Sequence, residues 1–326
     1  MRLVVVGLGI QGRKRRAVAL AAGDSVVTVD PVAENVEFRR LQDVPPGSYD
    51  AALVCTPDGP KVELLTWLLG HGKHALVEKP LVAAQDGDLE ALGALAHRQG
   101  AVCYTAYNHR FEPHLVSVKR LLDEDRIGRV YHCRMFYGNG TARDVRNSVW
   151  RDHGLGVIPD LASHMLDLCL FFFGRPAGDV RMWTAQRYEN AAFDYFLMGF
   201  PEASPMIKLE GTLLSWRNTF GLDLIGEEGS IHVTGLCKWG PSSLIVRRRV
   251  LPSGRPGEEV ETLEQPDPTW AIEYEYFKKL SVSGGTNIDN DLWINGVLNG
   301  LGRTLGVGIS GTSGTNGAIG AVGMPA

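Results

Sequence analysis

A chain of 326 residues with 44% hydrophobic and 21% charged side chains has the balance of an ordinary folded protein of one large or two average domains. Its net charge of -4 offers no basic field for nucleic acid, and no apolar run nears the roughly 20 residues that span a bilayer. The apolar stretch at 3–6 breaks at Gly7 and is too short for a signal-peptide core, so a soluble cytoplasmic protein without nucleic-acid or membrane partners is expected.

Residues 2–6 form an apolar strand, followed at once by Gly7-Leu8-Gly9-Ile10-Gln11-Gly12 and a helix over 11–22 that stops at Gly23. A second strand, 25–29, ends at Asp30-Pro31. The span 32–49 holds Pro45-Pro46-Gly47 and has room for an edge strand at 36–40, but not for a full crossover helix. Strands then follow at 51–55, 75–78 and 102–106, with helices at 59–69 and 86–98 between them. This alternation predicts parallel strands covered by helices on both faces.

Near residue 110 the pattern changes. A helix at 112–122, a strand at 130–137 and an apolar helix at 157–173 lead into long strands at 179–188, 193–200, 206–216, 219–225, 230–234 and 244–250. Helices at 270–280 and 290–305 close the chain. The second part is therefore expected to be α+β around an antiparallel sheet. From Gly308 a glycine recurs at every third position, but only Pro325 accompanies the run, so a flexible tail is expected and not a collagen helix.

The glycine pattern has the context that gives it meaning. Gly7 permits the tight turn, Gly9 lets a pyrophosphate approach the backbone, and Gly12 lets helix and strand pack closely. Asp30, at the end of the second strand, is positioned to accept ribose hydroxyls. Its charge would repel a 2′-phosphate, which favours NAD, while Arg13, Lys14, Arg15 and Arg16 keep NADP as the alternative. Cys55, Cys103, Cys133, Cys169 and Cys237 are odd in number, widely spaced and mostly among apolar neighbours, so buried reduced thiols and no metal site are expected.

Two further segments carry chemistry. Glu78-Lys79-Pro80 ends a strand on the side where open α/β sheets bind ligands, and Thr56-Pro57 ends the strand before it. Beside a positively charged nicotinamide, Lys79 is suited to proton transfer. Asp160 and His164, four apart on a helix, share a face, with Asp167 a turn further on. A carboxylate with an imidazole suits removal of an alcohol proton while hydride leaves its carbon.

Together these segments resemble the Gfo/Idh/MocA family of sugar and inositol oxidoreductases. The resemblance rests on GLGIQG at Gly7–Gly12, EKP at Glu78–Pro80, YNHRF at Tyr107–Phe111, WRD at Trp150–Asp152 and GVIPDLASHMLD at Gly156–Asp167, in that order along nearly the whole chain. It implies a Rossmann domain over 1–108 and an α+β domain over 109–305, followed by the tail over 306–326. The second domain would carry an open-faced, mainly antiparallel sheet, whose free face implies a homodimer or homotetramer. It implies cofactor contacts from Gly7, Gly9, Ile10, Gln11, Gly12, Asp30, Thr56, Pro57, Glu78, Lys79 and Pro80. Lys79 corresponds to the family's catalytic lysine, and Asp160 and His164 to its substrate-binding and proton-transfer pair. Lys79 and His164 share the proton in this reading, and Asp160 orients the substrate.

Arg110, Arg134, Arg143, Arg146 and Arg151 cluster in sequence with Asn108 and Trp150, and arginine forks favour anionic groups. Asn108, Arg110, Trp150 and Arg151 are therefore expected to bind substrate beside Asp160 and His164. A sugar acid or nucleotide sugar fits that charge better than a neutral polyol, although surface ion pairs with Asp144 and Asp152 account for it equally. The expected function is NAD(P)-dependent hydride transfer with a sugar, sugar acid, nucleotide sugar or cyclitol. A non-catalytic NAD(P)-binding sensor is the alternative. Tyr274 and Lys278 form a YxxxK pair but lie far beyond the nucleotide fold, which favours coincidence.

Overall fold

The computed structural model describes residues 1–148 and 151–308; Trp150 of the WRD segment and the glycine-rich run from 309 onward lie outside them. The first sheet consists of β1 (Arg2–Val6), β2 (Ser25–Val29), β3 (Ala51–Val54), β4 (His74–Glu78) and β5 (Cys103–Ala106). All its pairings are parallel, in the order β2-β1-β3-β4-β5. Helices α1 (Ile10–Ala21), α2 (Lys61–Gly70) and α3 (Asp86–Gln99) connect the strands. Every residue of β3 is buried, as expected of a central strand covered on both faces. The span 36–40 forms no strand, contrary to expectation. Only Phe38 bridges to Val29, because Asn35 turns the chain at φ 56° and Glu37 folds its carboxylate back onto the Thr28 amide at 3.0 Å.

The second sheet is built after α4 (Pro113–Asp123), with β6 (Val130–Gly138), α5 (Ala142–Arg146) and α6 (Ser163–Phe173) preceding its long meander. The meander comprises β7 (Arg181–Gln186), β8 (Tyr195–Phe200), β9 (Met206–Thr212), β10 (Thr219–Gly226), β11 (Gly229–Thr234), β12 (Ser242–Arg248) and β13 (Glu258–Leu263). The order is β13-β12-β11-β10-β6-β9-β8-β7, antiparallel throughout except where β6 meets β9. β13 was not expected from the sequence. Its Glu-Glu-Val-Glu-Thr-Leu run is almost wholly exposed, and an edge strand needs only one partner while its charges discourage another. One face of the sheet packs on α6, whose residues from Ser163 to Cys169 are all buried.

Helices α7 (Thr269–Ser283) and α8 (Ile288–Leu305) return to the first sheet. Tyr274 and Phe277 join the core on one side of it and Ile288 the core on the other. The Tyr274 hydroxyl donates to Asp24 at 2.7 Å and Lys278 pairs with the same carboxylate at 3.1 Å, so the YxxxK pair is a fastening between α7 and the start of β2. Beside it Arg15, only 1% exposed, donates to Glu78 at 2.6 Å and to Glu273 at 2.7 Å and lies over the Trp270 ring. Burial opposes the charge on Arg15, but the two glutamates outweigh it and raise its pKa. This buried triad ties α1, the end of β4 and α7 into one unit. Among the described residues, no helix is long and apolar enough to cross a membrane.

Candidate active site

The turn between β1 and α1 is shaped as its glycines require. Gly7 has φ +90°, and a Cβ there would stand 2.7 Å from the Cys55 carbonyl oxygen; one on Gly12 would stand 1.8 Å from the Gly7 carbonyl oxygen. A Cβ on Gly9 would meet nothing within 4 Å, so open space lies where a phosphate would approach. The first turn of α1 has neither a side-chain cap nor an acidic residue, which leaves its N–H groups for an anion. Thr56 places a buried Oγ1 without a partner next to this turn. A dinucleotide fits these features: an open cradle, free helix donors and an orphaned hydroxyl.

Asp30 is fixed at the end of β2 by the amides of Leu8, Val32 and Ala33 at 2.7, 2.8 and 2.7 Å. Burial pushes its carboxyl up, but these three donors and Arg39 outweigh burial and hold it below the ordinary value. Arg13 donates to the Leu8 carbonyl at 2.9 Å, and Arg15 is buried in its triad. Of the four cations that kept a 2′-phosphate in view, Arg15 is thus committed elsewhere, while Arg13 stays at the glycine turn. Glu78, expected on the cofactor side, turns its carboxylate to Arg15 instead.

Lys79 leaves the end of β4 and crosses to the second domain. Its Nζ donates to Asp160 Oδ1 at 2.6 Å and to the Asp160 main-chain oxygen at 2.8 Å, and Arg151 approaches Asp160 Oδ2 at 3.4 Å. Burial would push the Asp160 carboxyl up, but Lys79 and then Arg151 outweigh it, so Asp160 is a carboxylate throughout the neutral range. The expected regular helix over 157–173 begins instead with a π-helical turn, Ile158–Ala162, before α6. Pro159 stands in the first turn, where no ladder bond is lost, and the turn presents the Asp160 carbonyl and carboxylate together to Lys79.

His164, 6% exposed, stacks on His109 with ring centroids 4.0 Å apart and planes 15° apart. Tyr137 and Tyr107 flank it at 6.1 and 6.4 Å. Burial foremost, then His109, Lys79 and Lys238, push His164 well below the ordinary histidine value. His164 is therefore a neutral imidazole at pH 7, and its Nδ1 has no partner. Tyr137 is raised by burial and by the nearby Asp160 charge, which places its hydroxyl in the same electrostatic neighbourhood.

The structure thus brings Lys79, Arg151 and Asp160 together with His164 one turn along, but not Asn108 or Arg110; Trp150 lies outside the described residues. Arg110 forks onto Asp167 with two bonds of 2.7 Å, and Asn108 donates to Thr269 at 2.8 Å. Arg146 pairs with Glu189 at 3.2 Å on the surface, while Arg134 and Arg143 are exposed. The arginine cluster of the sequence is therefore dispersed in space, and Asp152 spends an oxygen on the Ala192 amide at 2.9 Å. Around His164 the fold also gathers His109 of the YNHRF segment and three residues without a motif, Tyr137, Lys238 and Trp239, whose ring lies 5.7 Å from Tyr137. Tyr137 follows buried Cys133 and Met135 in the inward phase of β6, a usable signal. Lys238 and Trp239 lie in the β11–β12 loop, where no periodicity marks them. All five cysteines are free; four are buried and Cys55 half-buried, with burial pushing each thiol up.

Residues 1–107 match the oxidoreductase-family NAD-binding Rossmann fold and residues 115–232 match the GFO/IDH/MocA C-terminal domain. The chain belongs to the Gfo/Idh/MocA family of oxidoreductases. Scyllo-inositol 2-dehydrogenase (NADP(+)) of Bacillus subtilis (strain 168) is 29% identical over 171 residues, 51% of this chain and 46% of that protein. The chain thus spans about half the length of that relative, where 46% is aligned. Inositol 2-dehydrogenase 2 of Saccharopolyspora erythraea is 25% identical over 279 residues, covering 78% of each chain. Levoglucosan dehydrogenase, solved with NADH, shares the fold with a TM-score of 0.79 at 18% identity, over 93% of this chain and 97% of that one.

Proposed function

We propose that the protein is an NAD(P)-dependent oxidoreductase. It would move a hydride between the nicotinamide and the carbinol carbon of a sugar, sugar acid, nucleotide sugar or cyclitol. The observation that carries this reading is the 2.6 Å meeting of Lys79 and Asp160 at the carboxyl end of β4, with neutral His164 one helical turn beyond Asp160 and under the influence of the Lys79 charge. The names of the two inositol dehydrogenases support it.

In this reading Gly7, Gly9, Ile10, Gln11 and Gly12 cradle the diphosphate, Asp30 takes the ribose, and Thr56, Pro57, Glu78, Lys79 and Pro80 border the nicotinamide side. The bound nicotinamide supplies the hydride acceptor. Asp160, with Arg151, orients the substrate hydroxyls. As hydride leaves the carbinol carbon, the hydroxyl proton passes to the neutral His164 ring, and the Lys79 ammonium stabilises the negative charge that develops on oxygen. In reduction the imidazolium returns the proton, with the Lys79 ammonium as the second donor at the same oxygen. The committed Asp30 charge and the burial of Arg15 favour NAD.

A panel of inositols, aldoses, uronates and nucleotide sugars, followed by formation of reduced nicotinamide, tests the proposal. Turnover of at least one carbinol class, with kcat/KM for NAD about tenfold or more above that for NADP, is expected from the lost pairing and added repulsion at Asp30. Cofactor binding without turnover on any member would return the protein to the sensor reading.

The glycine geometry separates folding from cofactor binding. Gly9→Ala is expected to keep the melting temperature, because its Cβ meets nothing within 4 Å, yet to weaken NADH binding by filling the cradle. Gly12→Ala places a Cβ 1.8 Å from a backbone oxygen and is expected to lose both binding and about 1–3 kcal/mol of stability. NADH fluorescence titration and thermal unfolding check the pair. Equal melting losses in the two variants would contradict this division.

A further inference from the structure

Lys61 has had no role so far. It opens α2, yet its side chain runs inward and is 1% exposed. An ammonium has three donors, and burying it is costly unless they are used. Here all three are used: Asp58 Oδ1 accepts at 2.8 Å, the Glu78 carbonyl at 2.7 Å and the Pro80 carbonyl at 2.7 Å. The two carbonyls belong to the residues immediately before and after Lys79. Arg15 holds the Glu78 side chain from the other direction at 2.6 Å. The main chain at Lys79 is thus pinned on both sides, while its own side chain leaves for Asp160.

We propose that Lys61 is a positioning residue for Lys79. Its ammonium fixes the main chain on both sides of Lys79 and so sets the direction in which the Lys79 amine reaches Asp160. The lysine side chain is a long, flexible lever, so a small turn of the backbone at its base moves Nζ much further. A displacement of about 1 Å in such a group costs on the order of 100-fold in rate. The consequence for turnover rests on the oxidoreductase reading. The clamp itself belongs to the free chain and is measured without cofactor.

The test uses the whole protein with Lys61→Met, which keeps the aliphatic stem and removes every donor, and Lys61→Gln, which keeps a donating amide. Acetylation of Lys79 by an N-hydroxysuccinimide ester, quantified on its peptide by mass spectrometry, reports how firmly the amine is held, with Asp160→Asn as the released reference. Lys61→Met is expected to acetylate at Lys79 severalfold faster than wild type, and Lys61→Gln at an intermediate rate. With any sugar that turns over, kcat of Lys61→Met should fall roughly 10–100-fold with NADH affinity unchanged. A purely structural role would lower the melting temperature and leave Lys79 acetylation and kcat per folded molecule at wild-type levels, and that result would overturn the proposal. If Lys61→Met does not fold, Lys61→Gln is read on the same scales. If no sugar turns over, acetylation alone decides, so failure of the clamp and failure of the oxidoreductase reading remain distinct.

Discussion

Lys79→Ala is expected to lower kcat by on the order of 10²–10⁴, the range for a lost proton-handling or charge-stabilising group, while NADH affinity changes by less than about twofold. The separation follows from geometry. Both hydrogen bonds of the Lys79 ammonium go to Asp160, and none of its bonds reaches the glycine turn. Removing the amine leaves Asp160 with Arg151 at 3.4 Å, so the carboxylate proposed to orient the substrate is loosened as well. Some loss of melting temperature is also expected, because the pair is mostly buried and Asp160 loses its nearer cation, so kcat is read per folded molecule. Lys79→Arg is not expected to restore the rate. A planar fork cannot place one compact donor at both the carbonyl and the carboxylate of Asp160. A variant with wild-type kcat would remove Lys79 from the chemistry.

The second large effect is in the pH profile of alcohol oxidation. If His164 accepts the proton, the rate is expected to stay level from pH 8 down past the ordinary histidine value near 6.5, and to fall only below it. The sign follows from the environment. Burial first, then His109, Lys79 and Lys238, disfavour the imidazolium, so the neutral, accepting form persists to lower pH than in a free histidine. His164→Asn should lose the acid limb and on the order of 10²–10⁴ in kcat. His109→Phe keeps a ring against His164 but removes one source of the depression, so its acid limb should move up towards the ordinary value. A wild-type profile that falls off above pH 7 would instead assign proton acceptance to Lys79.

The same two histidines link pH to stability. Their folded values lie below the unfolded one, so below about pH 6.5 the unfolded chain binds more protons. The stability they permit is therefore full above that pH and is lost as pH falls beneath it. Circular dichroism over the same range separates this loss from the catalytic limb.

Much of the architecture was legible from local pattern. Apolar runs of four or five residues alternating with helices match buried parallel strands, and Gly7, Gly9 and Gly12 declare a turn that no other side chain tolerates at two of the three positions. The failures were also physical. The 36–40 segment has strand-like residues, but its neighbours turn it away. β13 is polar because an edge needs little apolar surface. The π-helical turn at Asp160 cannot be read from an apolar periodicity that fits an α-helix equally well.

Short motifs and local backbone demands were enough to point to the family, the nucleotide-binding turn and the residue types proposed for the chemistry. Which charges meet depends on packing between distant parts of the chain. An arginine fork is satisfied as well by Asp167 as by a substrate carboxylate, so Arg110 looked like a substrate contact until α6 was seen to lie against it. Lys79 and Asp160 are 81 residues apart in the chain, and their 2.6 Å contact exists because the end of β4 meets the π-helical turn that precedes α6. Strand and helix periods say which face of an element is buried. They do not say what lies across from it, and the chemistry proposed here depends on those partners.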